Sequence, residues 1–146
     1  MDNYTLNDPF DLQRFVDAQD PMYATVCAEL RRGRKEEHWM WFVFPQLRGL
    51  GSSPMANRFG ISSRAEAEAY LRHPVLGPRL RQCAELVNLV EGRAIEEIFG
   101  YPDHLKFRSS MTLFAQVATN NEVFASAIRK YFSGQYDPQT LGRLSS

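Results

Sequence analysis

The sequence is poor in cysteine and histidine and lacks the common metal-binding motifs. Its 2 cysteines and 3 histidines form neither a Cys-x-x-Cys pair nor a His-Glu-x-x-His motif, so we expect no metal site. Cys27 and Cys83 lie far apart, each within a helical pattern. We expect both to be buried free thiols, the usual state of isolated cysteines in a reducing compartment.

The sequence also lacks an excess of positive or negative charge, and it lacks long apolar runs. Basic and acidic residues number 17 each, so the net charge gives no field that would attract nucleic acid or a membrane surface. No apolar run approaches the ~18 residues that span a bilayer. Residues 1–4 carry neither a basic nor an apolar segment, so we expect no signal peptide and a cytoplasmic location. The oligomeric state stays open.

The familiar signatures of nucleotide-dependent and hydrolytic enzymes are absent as well. There is no P-loop, no Gly-x-Gly-x-x-Gly motif and no Gly-x-Ser-x-Gly motif, so we expect no bound cofactor. The backbone N–H groups of a short glycine loop at residues 49–51 could hold an anion, but such a loop is a weak signal alone.

What the sequence does contain is apolar residues at helical spacing. No stretch alternates between apolar and polar residues, so an all-α fold is predicted. The chain of 146 residues predicts one compact domain of seven to eight helices over residues 1–146, with a loosely held polar tail at 135–146. Expected helix starts are Asp8-Pro9, Asp20-Pro21, Ser63, Asp103 and Asn121, and Gly33 is an expected helix end. Either Pro74 or Pro78 begins the central helix, and the sequence leaves this choice open.

Residues 33–51 form the most unusual stretch of the chain. Four of the six residues from Trp39 to Phe44 are aromatic, yet polar side chains lie directly around them. An unbroken apolar run does not distinguish a helix from a buried strand. Acidic residues before the run and Pro45 after it favour a helix over 35–44.

Cations gather beside this aromatic run. Residues 31–48 carry five basic and two acidic side chains, a local charge of +3 that suits an anion or simply a solvated helix end. Lys35 and His38 are three residues apart, so a helix would direct both to one pocket, where an imidazole can transfer protons at neutral pH. Trp39 and Trp41 would point in different directions, one into the core and one into a cleft.

A second polar group follows Asp103. On a helix, Asp103, Lys106 and Ser110 form one stripe, with Ser109 beside it. The plain interpretation is a helix cap and a surface ion pair. A polar stripe is nevertheless unusual on a helix that must pack against a core, and this favours a functional site.

We expect the two polar groups to converge on one cleft, because polar side chains near a core must face partners, water or a ligand. The candidate catalytic residues are His38 and Asp103. The candidate substrate-binding residues are Lys35, Trp41, Gln46, Arg48, Ser53, Lys106, Ser109 and Ser110.

Four segments resemble a bacterial family called domain of unknown function 1810. They are GRKEEHWMWFVFPQ at 33–46, GLGS at 49–52, YLRHPVLGPRL at 70–80 and IFGYPDHLKFRSSMTLF at 98–114. The resemblance covers nearly the whole chain and implies an all-helical fold. Members are often labelled calpastatin, but an aromatic-rich folded domain is unlike that disordered inhibitor.

A weaker likeness is to the helical NADAR proteins, which handle ADP-ribose-type N-glycosides. It rests on helical size and on an aromatic, histidine-bearing segment. Two functional hypotheses follow. The first is a pocket for a nucleotide or sugar phosphate, with N-glycoside hydrolysis as its reaction; the second is a non-enzymatic helical interaction module with no small-molecule substrate.

Overall fold

Ten helices follow one another along residues 7–145, the part of the chain that the computed structural model describes. In order they are α1 (Gln13–Gln19), α2 (Tyr23–Arg32), α3 (Met40–Val43), α4 (Pro54–Phe59), α5 (Arg64–Arg72), α6 (Leu76–Leu89), α7 (Ile95–Phe99), α8 (Asp103–Val117), α9 (Glu122–Phe132) and α10 (Pro138–Leu144). These residues contain no strand, which confirms the all-α prediction; Leu47 and Ile61 form only an isolated parallel bridge. Nor do they include a helix with the length and apolar character needed to cross a membrane.

The predicted number of seven to eight helices was too low. The helices not predicted as such are α4 and α10, and each begins with the same local device. Ser53 and Asp137 accept hydrogen bonds from the backbone N–H three residues on, at 3.1 and 3.3 Å, and each precedes a proline. A cap followed by proline at the first helical position stabilises even a short helix.

In place of the loose tail expected at 135–146, the chain forms α10, which packs against α8. Thr140 is fully buried, and the backbone N–H of Asp137 donates to the Thr112 hydroxyl at 2.9 Å. Hydrogen bonds hold this segment together with the packing of Tyr136 and Leu144 against the core, so its polar composition alone was misleading. Residue 146 lies outside the described residues, as do residues 1–4, on which the signal-peptide prediction rests.

The first helix begins at Gln13, later than the predicted start at Asp8-Pro9. The carboxylate of Asp8 accepts hydrogen bonds from the backbone N–H groups of Leu12 at 2.7 Å and Gln13 at 3.0 Å. Asp8 therefore satisfies the first free N–H groups of the helix from across a turn, rather than from the position next to it.

Local signals elsewhere fix the helix ends close to the predicted positions. Gly33 ends α2 in the left-handed region with φ of 74°, and Ser63 caps α5. Neither Pro74 nor Pro78 begins the central helix, because α6 starts at Leu76. Pro78 is tolerated as its third residue, since the N–H groups of a first helical turn have no partner within the helix.

The helix predicted over 35–44 is wrong, because only Met40–Val43 is helical. The buried carboxylate of Glu29 accepts hydrogen bonds from the backbone N–H groups of Glu36 at 2.8 Å and Glu37 at 3.2 Å. A side chain of the preceding helix, α2, thus holds this backbone in a non-helical turn.

The core surrounds α8, which packs against α5, α7, α9 and α10. Its largest fully buried side chains are aromatic; for example, Phe44 and Phe107 meet edge to face with their ring centres 5.0 Å apart. Cys27 and Cys83 are buried and free, as predicted.

Candidate functional site

A buried carboxylate organises the turn that precedes α3. Oε1 of Glu29 also accepts a hydrogen bond from Nε1 of Trp39 at 2.9 Å. Burial raises the pKa of Glu29, but its hydrogen bonds to the backbone and to Trp39 outweigh burial and leave the pKa below its ordinary value. Glu29 is therefore ionised at neutral pH and fixes the Trp39 ring. The backbone N–H of Lys35 donates to the oxygen of Ile98 at 2.7 Å, which places Lys35 beside the end of α7, shortly before α8 begins.

Lys35 and Lys106 share one carboxylate, that of Asp103. The Lys35 amino group lies 2.9 Å from Oδ2 of Asp103, and the Lys106 amino group lies 3.3 Å from Oδ1. Asp103 was predicted to cap α8. It is instead the first residue of the helix, because Pro102 occupies the cap position. A carboxylate is favourable in this first turn, near the positive end of the helix dipole. Because two amino groups face one carboxylate, this cluster of three side chains has a net charge of +1.

The two tryptophans lie in different surroundings. Trp39 is fully buried in the core, whereas Trp41 is partly exposed. The Lys106 amino group lies 4.7 Å from the centre of the Trp41 ring, and the Lys35 amino group lies 5.3 Å from that of Trp39. Trp41 is therefore the tryptophan that faces the cleft.

The cleft beside α8 has two parts, which we call the narrow and the wide pocket and together the Lys106 cleft. Lys106 and Gln46 line both parts. The narrow pocket, of about 10 Å³, is lined by Met40, Trp41, Phe44, Gln46, Met55, Ala56, Phe59, Gly60 and Lys106. The wide pocket, of about 350 Å³, is lined by Gln46, Leu50, Gly51, Pro102, Leu105, Lys106, Arg108, Ser109, Asp137 and Gln139.

Asp137 lines the wide pocket and was missed by the sequence analysis. Its Oδ2 accepts hydrogen bonds from the hydroxyls of Ser109 at 2.9 Å and Thr140 at 2.6 Å. Its other oxygen, Oδ1, receives no hydrogen bond from any described residue. The available signal was the proline that follows it, since the same Asp-Pro pair was used to predict two earlier helix starts.

Six of the predicted site residues meet at this cleft. Trp41, Gln46, Lys106 and Ser109 line it, and Lys35 and Asp103 adjoin it through their ion pairs. The two polar groups of the sequence are therefore joined in space at Lys35 and Asp103.

The other four predicted site residues lie elsewhere. His38 is exposed and, within the described residues, makes no hydrogen bond or ion pair. The Ser53 hydroxyl caps α4, and Arg48 lines a separate cleft. Ser110 is fully buried, and its hydroxyl has no hydrogen-bond partner in the described part of the chain.

Residues 9–144 match a family model described as "Protein of unknown function (DUF1810)". The chain belongs to the DUF1810 family. The matched range of the DUF1810 model includes every residue that lines the Lys106 cleft. The resemblance expected from the four sequence segments is thereby confirmed.

A solved structure is also similar to this DUF1810 chain. It is the crystal structure of the conserved hypothetical protein Rv1873 from Mycobacterium tuberculosis at 1.38 Å. The two chains are 61% identical with a TM-score of 0.94, and the match covers 95% of this chain and 99% of that one. No curated protein matches the chain. Because neither description states an activity, function has to be argued from the site.

Proposed function

We propose that the Lys106 cleft binds a nucleotide or a sugar phosphate in the cytoplasm. The observation that carries the proposal is the position of Lys106, whose amino group lies 4.7 Å from the centre of the Trp41 ring and lines both pockets. A cation beside an aromatic ring matches the two parts of such a ligand, a phosphate and a flat base or sugar.

The charge of the cleft favours an anion. Lys35 and Lys106 have only Asp103 between them. Arg108 donates to two backbone oxygen atoms, at 2.9 and 3.1 Å, and to no described carboxylate. Asp137 adds one negative charge to the lining of the wide pocket. Three cations against two carboxylates leave a net charge of +1, which attracts a phosphate.

The size of the wide pocket also fits the proposal. Its volume of about 350 Å³ falls within the range of roughly 300–1,000 Å³ that is usual for small-molecule sites. The phosphate would lie there between Lys106 and Arg108, and the base or sugar would lie over the partly exposed Trp41 ring, outside the narrow pocket of about 10 Å³. Lys106 would then leave the Trp41 ring. Such a cation–π contact is worth only about 0.5–1 kcal/mol when exposed, less than the roughly 1.5–3 kcal/mol of a charged hydrogen bond.

Hydrolysis of an N-glycosidic bond in ADP-ribose-like compounds is the finer part of the proposal. In that reaction the oxygen of water bonds to the anomeric carbon while the bond from this carbon to the base nitrogen breaks. The base leaves with the electron pair and is protonated by solvent, and a carboxylate takes the proton of the water.

Asp137 is better placed than Asp103 to take that proton. Both oxygens of Asp103 are engaged in ion pairs, Oδ2 with Lys35 and Oδ1 with Lys106. Asp137 has one oxygen without a hydrogen bond from the described residues and lines the wide pocket. In this proposal Asp103 positions Lys35 and Lys106, and His38, which does not line the cleft, takes no part.

A non-enzymatic interaction module is the second candidate. Tyr101 is 82% exposed, and Leu105, which is 43% exposed, lines the wide pocket. Large apolar side chains exposed beside a cleft are typical of surfaces that bind another protein. On this interpretation Lys35, Asp103 and Lys106 only pin the loops around that surface.

A thermal-shift screen with AMP, ADP, ADP-ribose and ribose 5-phosphate distinguishes the two candidates. A ligand present at about 100 times its Kd adds roughly 2.7 kcal/mol to stability, which is a few degrees in Tm for a domain of this size. Chromatography of the same samples would detect a released base, as the hydrolysis proposal expects.

The matched variants for this screen are Lys106→Gln and Arg31→Gln. Both remove one positive charge, but Arg31 is exposed at the end of α2 and does not line the cleft. The Lys106→Gln variant should lose the shift, and the Arg31→Gln variant should keep it. If none of the four ligands shifts the Tm of the wild-type protein, the interaction module becomes the better account.

A further inference from the structure

A second cleft, on the other side of the glycine loop at 49–51, concentrates positive charge. We propose that it is a phosphate-binding site, separate from the Lys106 cleft. The cleft measures about 330 Å³ and is lined by Leu47, Arg48, Ser62, Ser63, Arg64, Arg143 and Leu144. We call it the triple-arginine cleft. Three of its lining residues are arginines, and none is acidic.

Backbone oxygen atoms orient the three guanidinium groups without neutralising them. Arg48, Arg64 and Arg143 each donate one hydrogen bond, at 3.3, 3.3 and 3.1 Å, to the backbone oxygens of Gly60, Gln116 and Gly49 respectively. Within residues 7–145, none of the three pairs with a carboxylate. A guanidinium has five N–H donors, so each keeps several for a ligand.

The carboxylate nearest in sequence to the serines of this cleft is committed elsewhere. Glu66 lies in the first turn of α5 and pairs with Arg14 at 2.9 Å. It also accepts hydrogen bonds from the backbone N–H and the hydroxyl of Ser62. Because Glu66 is only 2% exposed and is already paired, it leaves the charge of the triple-arginine cleft uncompensated.

This arrangement points to a phosphate rather than to a carboxylate. Three like charges lining one cleft repel one another, and a bound anion relieves that repulsion. A phosphate carries three strong acceptor oxygens, and planar guanidinium groups bind them in pairs. Several arginines around one cleft match the charge of a phosphate monoester or a pyrophosphate better than a single carboxylate.

Gly49 makes room for one of the arginines. Its φ is +98°, in the region that favours glycine, and a Cβ there would lie 2.7 Å from a guanidinium nitrogen of Arg143. Any larger residue would displace that guanidinium. Gly49→Ala therefore disturbs the cleft while leaving all three charges in the chain.

The same loop separates the two clefts. Arg48 lines the triple-arginine cleft, whereas Leu50 and Gly51 line the wide pocket. The prediction that grouped Arg48 with Lys35 around one ligand therefore assigned it to the wrong cleft. The two sites can be tested independently, because Lys106 does not line the triple-arginine cleft and none of the three arginines lines the Lys106 cleft.

Isothermal titration with inorganic pyrophosphate and with ribose 5-phosphate tests the proposal. We expect at least one probe to bind the wild-type protein. Arg64→Gln and Arg143→Gln should each weaken that binding about tenfold, as expected for loss of a charged hydrogen bond. The triple variant of Arg48, Arg64 and Arg143 to Gln, made together with Lys106→Gln so that ribose 5-phosphate cannot bind in the Lys106 cleft, should abolish it. Stronger binding of pyrophosphate would indicate the free anion as ligand, and stronger binding of ribose 5-phosphate a phosphate ester.

Three further variants make the result specific. Arg31→Gln controls for loss of charge, and Lys106→Gln controls for binding in the other cleft; both should leave the affinity of the triple-arginine cleft unchanged. Gly49→Ala should weaken binding without changing the net charge, and circular dichroism would verify that each variant is folded. Failure of both probes to bind, or unchanged binding by the folded triple variant, would overturn the proposal. Loss of binding in Lys106→Gln alone would assign the phosphate to the Lys106 cleft instead.

Discussion

The amino group of Lys35 lies 2.9 Å from the carboxylate of Asp103 and joins two segments that are distant in the sequence. The Lys35 side chain is only 7% exposed, so loss of Asp103 would leave a cation that water barely reaches. We expect Asp103→Asn to lower the free energy of unfolding by about 1–3 kcal/mol, the usual range for an unpaired buried polar group. Urea unfolding at neutral pH measures this loss.

A double-mutant cycle with Lys35→Met tests whether the pair itself is responsible. The double variant should be more stable than the two single losses predict, because it removes both charges together. Glu122→Gln, which breaks the exposed pair between Glu122 and Arg129, is the matched surface control and should change stability little. Strictly additive losses would show that Lys35 and Asp103 do not stabilise each other.

Glu29 should make stability depend on pH in a defined direction. Its pKa is lower in the folded protein than its ordinary value, so its ionised form stabilises the fold above the ordinary carboxyl range. That contribution is lost as the pH falls from about 4.3, the value in an unfolded chain, through the lower folded pKa. The stability difference between the wild-type protein and Glu29→Gln should therefore be largest at neutral pH and shrink in acid. Urea unfolding of both proteins over this range measures it, and a constant difference would contradict the assignment.

The two tryptophans should differ in their importance for stability. Trp39 is fully buried and hydrogen-bonded to Glu29, so Trp39→Ala should cost about 3–5 kcal/mol. Trp41→Ala should cost clearly less, because the ring is partly exposed in the cleft. Urea unfolding compares the two variants, and an equal loss would place Trp41 in the core as well.

The neighbouring serines of α8 offer a similar comparison. Ser109 donates a hydrogen bond to Asp137 at 2.9 Å, so Ser109→Ala should lower the free energy of unfolding by about 1 kcal/mol. The Ser110 hydroxyl is buried without a partner among the described residues, so Ser110→Ala should leave stability unchanged or raise it. Chemical unfolding of the two variants decides this. A larger loss for Ser110→Ala would reveal a partner such as a buried water.

Local signals predicted much of the fold; the errors came from two local caps that were overlooked, those of α4 and α10, and from contacts between elements. Gly33 and Ser63 act through their own backbone neighbourhood, so their roles can be read from a few residues. The backbone at 35–39 is held instead by Glu29, and no periodicity within that stretch reveals a hydrogen bond from another helix.

The same distinction explains which parts of the site were predicted. Lys35, Asp103 and Lys106 could be singled out because they are polar residues beside apolar runs. The Asp137-Pro138 pair indicates a helix start, but the position of Asp137 in the cleft could not be predicted, because it depends on α10 packing against α8. His38 shared the sequence pattern of Lys35, but the turn before α3 leaves it exposed, since that segment is not helical.

The most direct test of the Lys106 cleft is a tryptophan fluorescence titration with ADP-ribose. The chain has 2 tryptophans, of which Trp39 is buried in the core and Trp41 lines the cleft. Binding should therefore change the emission of the wild-type protein saturably, and Trp41→Phe should abolish this change. Lys106→Gln should shift the titration to higher ligand concentration. An emission change that persists in Trp41→Phe, or no saturable change in the wild-type protein, would contradict the assignment of a nucleotide or sugar-phosphate site to this cleft.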